Sequence, residues 1–142
     1  MNLRAIFVAI YIIIDVIYVT LSRTAYENVA KDIQGSGFPV FKSTRIAAAT
    51  IAYSSMILGW LILVAPLVEQ KVATSKNIIT AVKSSAFIGF IFGVLVYGVF
   101  NGTLHTMFEK YNTNIMVRDL VWGISWATVL TSIYGYVLYN KK

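Results

Sequence analysis

The chain has 142 residues, 58% hydrophobic and 13% charged, with a formal net charge of +6. A soluble domain carries about 25% charged residues, so this composition excludes an ordinary water-borne fold; mean hydropathy of +0.72 agrees. Cysteine is absent, which removes disulfides, thiolate metal sites and a cysteine nucleophile. The basic residues flank oily stretches and form no single run, so they suit lipid headgroups and not nucleic acid.

Four apolar stretches follow in chain order: Ala5 to Leu21, Ile46 to Ala65, Ser84 to Leu104 and Leu120 to Tyr139. About 20 such residues cross a hydrocarbon core as a helix, and 17 is the short end of the range. The first stretch is that short, but Leu3 can extend it while Arg4 snorkels to the interface. It is too long for the apolar part of a signal peptide, and no small-x-small site follows at Ser22, Arg23 and Thr24. The expectation is an all-α integral membrane four-helix bundle, one transmembrane domain over residues 1–142 with both termini on one side. Lys and Arg divide equally between the two sides, so charge leaves the orientation open.

Between the first two spans, Ala25, Val29, Ala30 and Ile33 share a helical face until Gly35, Gly37 and Pro39 stop it. This segment, about 22–33, extends the first helix or forms a short interfacial one. The other connections are short and predict antiparallel neighbours.

Small residues mark where helices approach closely in lipid. The second span offers Ala48, Ala52, Ser55 and Gly59; the third, Gly89 with Gly93 and Gly98 with Gly102; the fourth, Gly123, Ala127, Thr131 and Gly135. A weak internal echo, Tyr11-III-Asp15 against Tyr97-GVF-Asn101, fits two related hairpins or coincidence among oily sequences.

The polar residues within these spans are more telling. Asp15 interrupts the first span, where an unpaired carboxylate costs at least about 2.5–3.5 kcal/mol. Tyr11, Asp15, Tyr18 and Ser22 form one stripe, and Tyr97, Asn101 and His105 another. Topology brings Asn101, Thr103, His105, Arg118 and Asp119 towards one half of the membrane, a layout that allows a half-cavity with Asp15 at its floor. Asp15 either hydrogen-bonds Asn101 or Tyr97 to lock the bundle, or handles a proton, ion or polar ligand. Asp119 reads as a first-turn cap paired with Arg118 or Arg23. Trp122 and Arg118 read as interface anchors. A lone histidine without cysteine implies no metal site, and no catalytic motif or cofactor loop occurs.

Tyr97-Gly98-x-Phe100-Asn101-x-Thr103, then Asp119-Leu-Val-Trp122-Gly123, with an aspartate midway along the first helix, resemble a family of small predicted membrane proteins. It is known as domain of unknown function twenty-one seventy-seven. Its members typically show tyrosine-glycine-x-tyrosine-aspartate-leucine-threonine-asparagine on the third helix and aspartate-x-x-tryptophan-glycine at the fourth. Asp15, Thr103, Asp119, Trp122 and Gly123 occupy matching positions; Asn101 replaces an aspartate and Leu104 an asparagine. The resemblance implies four helices and no established activity, in bacteria or some large DNA viruses.

The functional expectation is a non-enzymatic component of a membrane complex or virion membrane, partnered by lipid and by other subunits or its own copies. The alternative is a small transporter or channel-like protein that uses Asp15 as its coupling group.

Overall fold

A computed structural model describes residues 2–35 and 43–142. Helix α1 spans Leu3–Leu21 and α2 spans Arg23–Gln34. Helix α3, Ser43–Gly59, runs through a π-helical turn at Trp60–Val64 into α4, Ala65–Thr74. Helix α5, Ile78–Gly93, likewise runs through a π turn at Val94–Gly98 into α6, Val99–Met107. The last helix, α7, spans Thr113–Asn140. Among the described residues there is no strand, and four continuous helical segments are long and apolar enough to cross a membrane.

Three of these segments begin alike. The side chains of Asn2, Asn77 and Asn112 accept from the backbone N–H groups of Arg4, Thr80 and Asn114 at 3.1, 2.9 and 2.8 Å. Each cap satisfies an N–H that has no intrahelical partner. These caps correct the expected starts: the third segment begins at Ile78 and not Ser84, and the fourth at Thr113 and not Leu120. The second segment continues past Ala65 to Thr74. Pro66 lacks the N–H that would close the preceding turn. The π turn absorbs the defect, with the Ala65 N–H donating to the Trp60 carbonyl five residues back. The last three segments measure 28–30 residues, or about 42–45 Å, so their ends reach headgroup depth.

Helix α7 packs against each of the other three segments, most extensively along α5. The α5–α7 seam is antiparallel and built on small residues. A Cβ at Gly89 would lie 2.5 Å from the Ala127 carbonyl oxygen, and one at Gly93 would lie 2.7 Å from the Ile124 Cα. Ser85 fills the space beside Gly135. Gly89, Gly93, Gly123 and Ala127 thus act as packing positions within one chain. Gly98 and Gly102 do not: a Cβ at Gly98 would meet only the Val94 side chain at 3.8 Å, and one at Gly102 would meet nothing within 4 Å. Ala48, Ala52 and Ser55 also face outwards, whereas Gly59 meets the ring of Phe92. The reason is that α3 leans on α1 at this level and makes no sustained contact with α6 or α7.

The core gathers Phe7, Tyr11, Trp60, Val64, Val68, Phe92, Leu130 and Tyr134. Ile13, Ile17, Ile51, Phe87, Leu95 and Val121 point outwards, as lipid-facing positions should. Ser22, at φ −89° and ψ 3°, breaks α1 from α2, so the loop segment is a separate helix. Gly35 closes it at φ 83°; Gly37 and Pro39 lie outside the described residues. Helix α2 docks Val29 against Tyr111 and Ile115 in a second cluster.

Candidate functional site

Along α1, Tyr11 and Asp15 stand one turn apart and face the bundle interior, 0% and 5% exposed. Tyr97 comes from the π turn of the third segment, a local widening that redirects its side chain. Its hydroxyl donates to Asp15 Oδ1 at 2.6 Å, while Tyr53 of α3 donates to Oδ2 at 3.1 Å. Tyr11 reaches the Tyr97 oxygen at 3.5 Å. Phenol-to-carboxylate bonds of this length are charge-assisted when the acid is ionised and belong to the stronger hydrogen bonds. Gly123 makes the arrangement possible, because any side chain there would overlap the Tyr97 ring.

One turn further along, Tyr18 leaves α1 for a different acid. Tyr18 and Tyr26 both donate to Asp119 Oδ1, at 2.7 and 2.6 Å. Asp119 is 4% exposed. Burial holds the Tyr26 phenol well above its usual range, and the carboxylate it serves raises it further. The Tyr18 ring stacks on Trp122 at 4.4 Å with an 8° interplanar angle, and Trp122 on Trp126 at 6.3 Å. The Arg118 guanidinium lies 5.9 Å from the centre of the Tyr18 ring.

Asn101 is fully buried. Its amide donates to the Tyr97 carbonyl at 3.0 Å and accepts from the Tyr111 hydroxyl at 2.7 Å. Burial, then the charge of Asp119, pushes Tyr111 up to about 12. Asn101 therefore supports the backbone that presents Tyr97.

Nearer the termini lies a third carboxylate. Glu69 Oε1 accepts from Arg4 Nε at 2.6 Å and from Tyr134 at 2.5 Å, and its Oε2 pairs with the Arg4 guanidinium. Tyr134 is held between Phe7 and Trp60, with ring centroids 5.0 and 5.1 Å away.

Asp15, Tyr18, Tyr97, Asn101 and Asp119 thus lie in two adjoining groups. Of the two partners expected for Asp15, it takes Tyr97 and not Asn101, and adds Tyr53. Asp119 is no first-turn cap: α7 starts earlier, carrying it inward to two phenols, while Arg23 pairs with Glu27 at 2.7 Å. Trp122, expected as an interface anchor, is half-buried, with its ring stacked between Tyr18 and Trp126 and its indole nitrogen buried. Thr103 and His105 are exposed and stand apart, His105 bonding Thr113 at 3.1 Å and edging the Tyr111 ring. Hydropathy passed over Glu69, Tyr26, Tyr53, Tyr111 and Tyr134, and Arg4, expected only to snorkel, pairs with Glu69. The Asn112 cap and the apolar Leu67 and Val68 after Pro66 were the available signals for the longer helices.

The result is three carboxylates on three segments, each gripped by hydroxyls from other helices. Chemically this is a set of cross-braces, in which Asp15 and Asp119 are buried while Glu69 and Arg4 remain partly exposed. The family model described as predicted membrane protein (DUF2177) matches residues 2–137. No curated protein and no solved structure matches the chain.

Proposed function

This chain is a member of the DUF2177 family of predicted membrane proteins, and we propose that it works there as a non-enzymatic structural or assembly component. The observation carrying this reading is that both oxygens of Asp15 are occupied by phenols from two other segments. A carboxylate so engaged ties three helices together, in an interior where its loss of water would otherwise be costly. Association with other membrane subunits or further copies of the chain fits the small, outward residues Ala48, Ala52, Gly98 and Gly102, where another backbone can come close.

The test is Asp15→Asn in reconstituted protein. An amide oxygen still accepts from a phenol, so the folded bundle and its assembly state persist, and no ion or proton flux is gained or lost. A second reading, a small carrier or channel-like protein, has one observation in its favour: the hydroxyls of Tyr11 and Tyr97 lead to the buried Asp15 carboxylate. Flux through vesicles that Asp15→Asn abolishes without unfolding the protein would establish that reading and overturn the first.

A further inference from the structure

The two membrane faces carry equal numbers of cations but unequal numbers of acids. The face bearing the termini holds Arg4, Lys71, Lys76, Lys83, Lys141 and Lys142; among the described residues its one acidic side chain is Glu69. Glu69 is taken up by Arg4 and Tyr134. The opposite face has Glu27, Asp32, Glu109 and Asp119 to set against its cations. An excess of positive charge therefore collects at the turn joining α4 to α5.

That turn is hollow. An open pocket of about 360 Å³ is lined there by Lys71, Ser75, Lys76, Asn77, Thr80 and Ser84 among others. Lys71 lines it from the last turn of α4 and Lys76 from the turn itself, and no carboxylate is among its lining residues. Lys83 lies three residues past Thr80, on the same side of α5. Lys142 is otherwise engaged, donating to the Ala73 carbonyl at 2.7 Å. Below the polar rim, Ile79 is 64% exposed and offers an acyl chain an apolar wall.

We infer that this pocket binds the phosphate headgroup of an anionic phospholipid. The two lysines match a singly charged phosphodiester, while the Ser75 and Thr80 hydroxyls shape the rim by donating within the turn, to the Lys71 carbonyl at 2.7 Å and to the Asn77 side chain at 3.0 Å. The position, at the shared end of two membrane-crossing segments, places that group where lipid phosphates already lie. A lysine near an anionic membrane surface strengthens binding about fivefold, so the two pocket lysines together supply about 25-fold.

The test uses the full chain in phosphatidylcholine nanodiscs containing a minority of phosphatidylglycerol, with retained lipid counted by native mass spectrometry. Lys71→Gln combined with Lys76→Gln lowers phosphatidylglycerol retention about 25-fold, while Lys31→Gln combined with Lys110→Gln, on the opposite face, leaves it unchanged. Both pairs are exposed, and unaltered helicity confirms folding. Equal losses in the two pairs, or full retention in the pocket variant, overturn the proposal. Inorganic phosphate that binds the detergent-solubilised protein with the same lysine dependence, and displaces the lipid, also overturns it in favour of a free-anion site.

Discussion

The hydroxyl of Tyr97 stands 2.6 Å from Oδ1 of Asp15, joining the first and third membrane segments across the bundle. The ring behind that hydroxyl lies over Gly123 of α7, so one tyrosine couples three segments. Removing the hydroxyl leaves the acid with Tyr53 alone. Tyr97→Phe lowers stability by about 0.5–2 kcal/mol, the range for hydrogen bonds between membrane helices. Tyr53→Phe, whose contact is longer at 3.1 Å, costs less. Reversible unfolding in mixed micelles checks the order; a larger cost at Tyr53 would contradict the geometry.

Glycine substitutions sort by where the helix faces. Gly123→Ala drives a methyl into the Tyr97 ring and Gly89→Ala drives one towards the Ala127 carbonyl. Each destabilises by about 1–3 kcal/mol through overpacking. Gly102→Ala, with open space around it, leaves the fold intact or gains about 0.5–1 kcal/mol from helix propensity. The same unfolding assay on the single chain in micelles decides, and a Gly102 variant as damaging there as Gly89→Ala would contradict the open space around Gly102.

Docking of α2 depends on one phenol. Tyr26 donates to Asp119 at 2.6 Å, while Val29 buries itself beside Tyr111. Because the chain has no cysteine, Val29→Cys provides a single labelling site. Adding Tyr26→Phe raises the maleimide labelling rate at that site at least about tenfold, through local opening of α2. An unchanged rate would mean that packing alone seats the helix.

Alkali tests the same corner. Tyr111, ordinarily near 10, is raised to about 12, and Tyr26 is raised as well. A phenol whose folded-state value is raised stabilises the fold fully below its unfolded value. That contribution is lost as pH climbs through the folded one. Tyr111 therefore contributes unchanged from neutral pH to about 10, and its stabilisation drains away between there and about 12, whereas Tyr26 keeps its contribution further into alkali. Tyrosinate absorbance follows the titration, and Tyr111→Phe removes its component near 12. A wild-type curve lacking that late component would refute the buried placement.

Composition and hydropathy by themselves determined that this chain lives in a membrane, how many times it crosses, and that Asp15 needs a partner. Those properties follow from the cost of exposing backbone or charge to hydrocarbon, which is local to each segment. The row of the fourth span and the Gly89–Gly93 step of the third were equally legible, since close approach leaves its mark on residue size, whereas Gly98 and Gly102 look alike in sequence and face open space. The sequence offered Asp15 either Tyr97 or Asn101; the choice between them, and the hydroxyls that meet Asp119 and Glu69, were decided only by the tertiary structure. The pairing of Asp15 with Tyr97 depends on a π turn, on a missing Cβ at Gly123 and on Asn101 behind it. The placing of Asp119 depends on a cap seven residues upstream, at Asn112. Tyrosine is common in membrane chains, so nothing in its spacing separates the phenols that grip a carboxylate from those that face headgroups. Rotation and register between helices make that distinction, and both are set by packing across the chain.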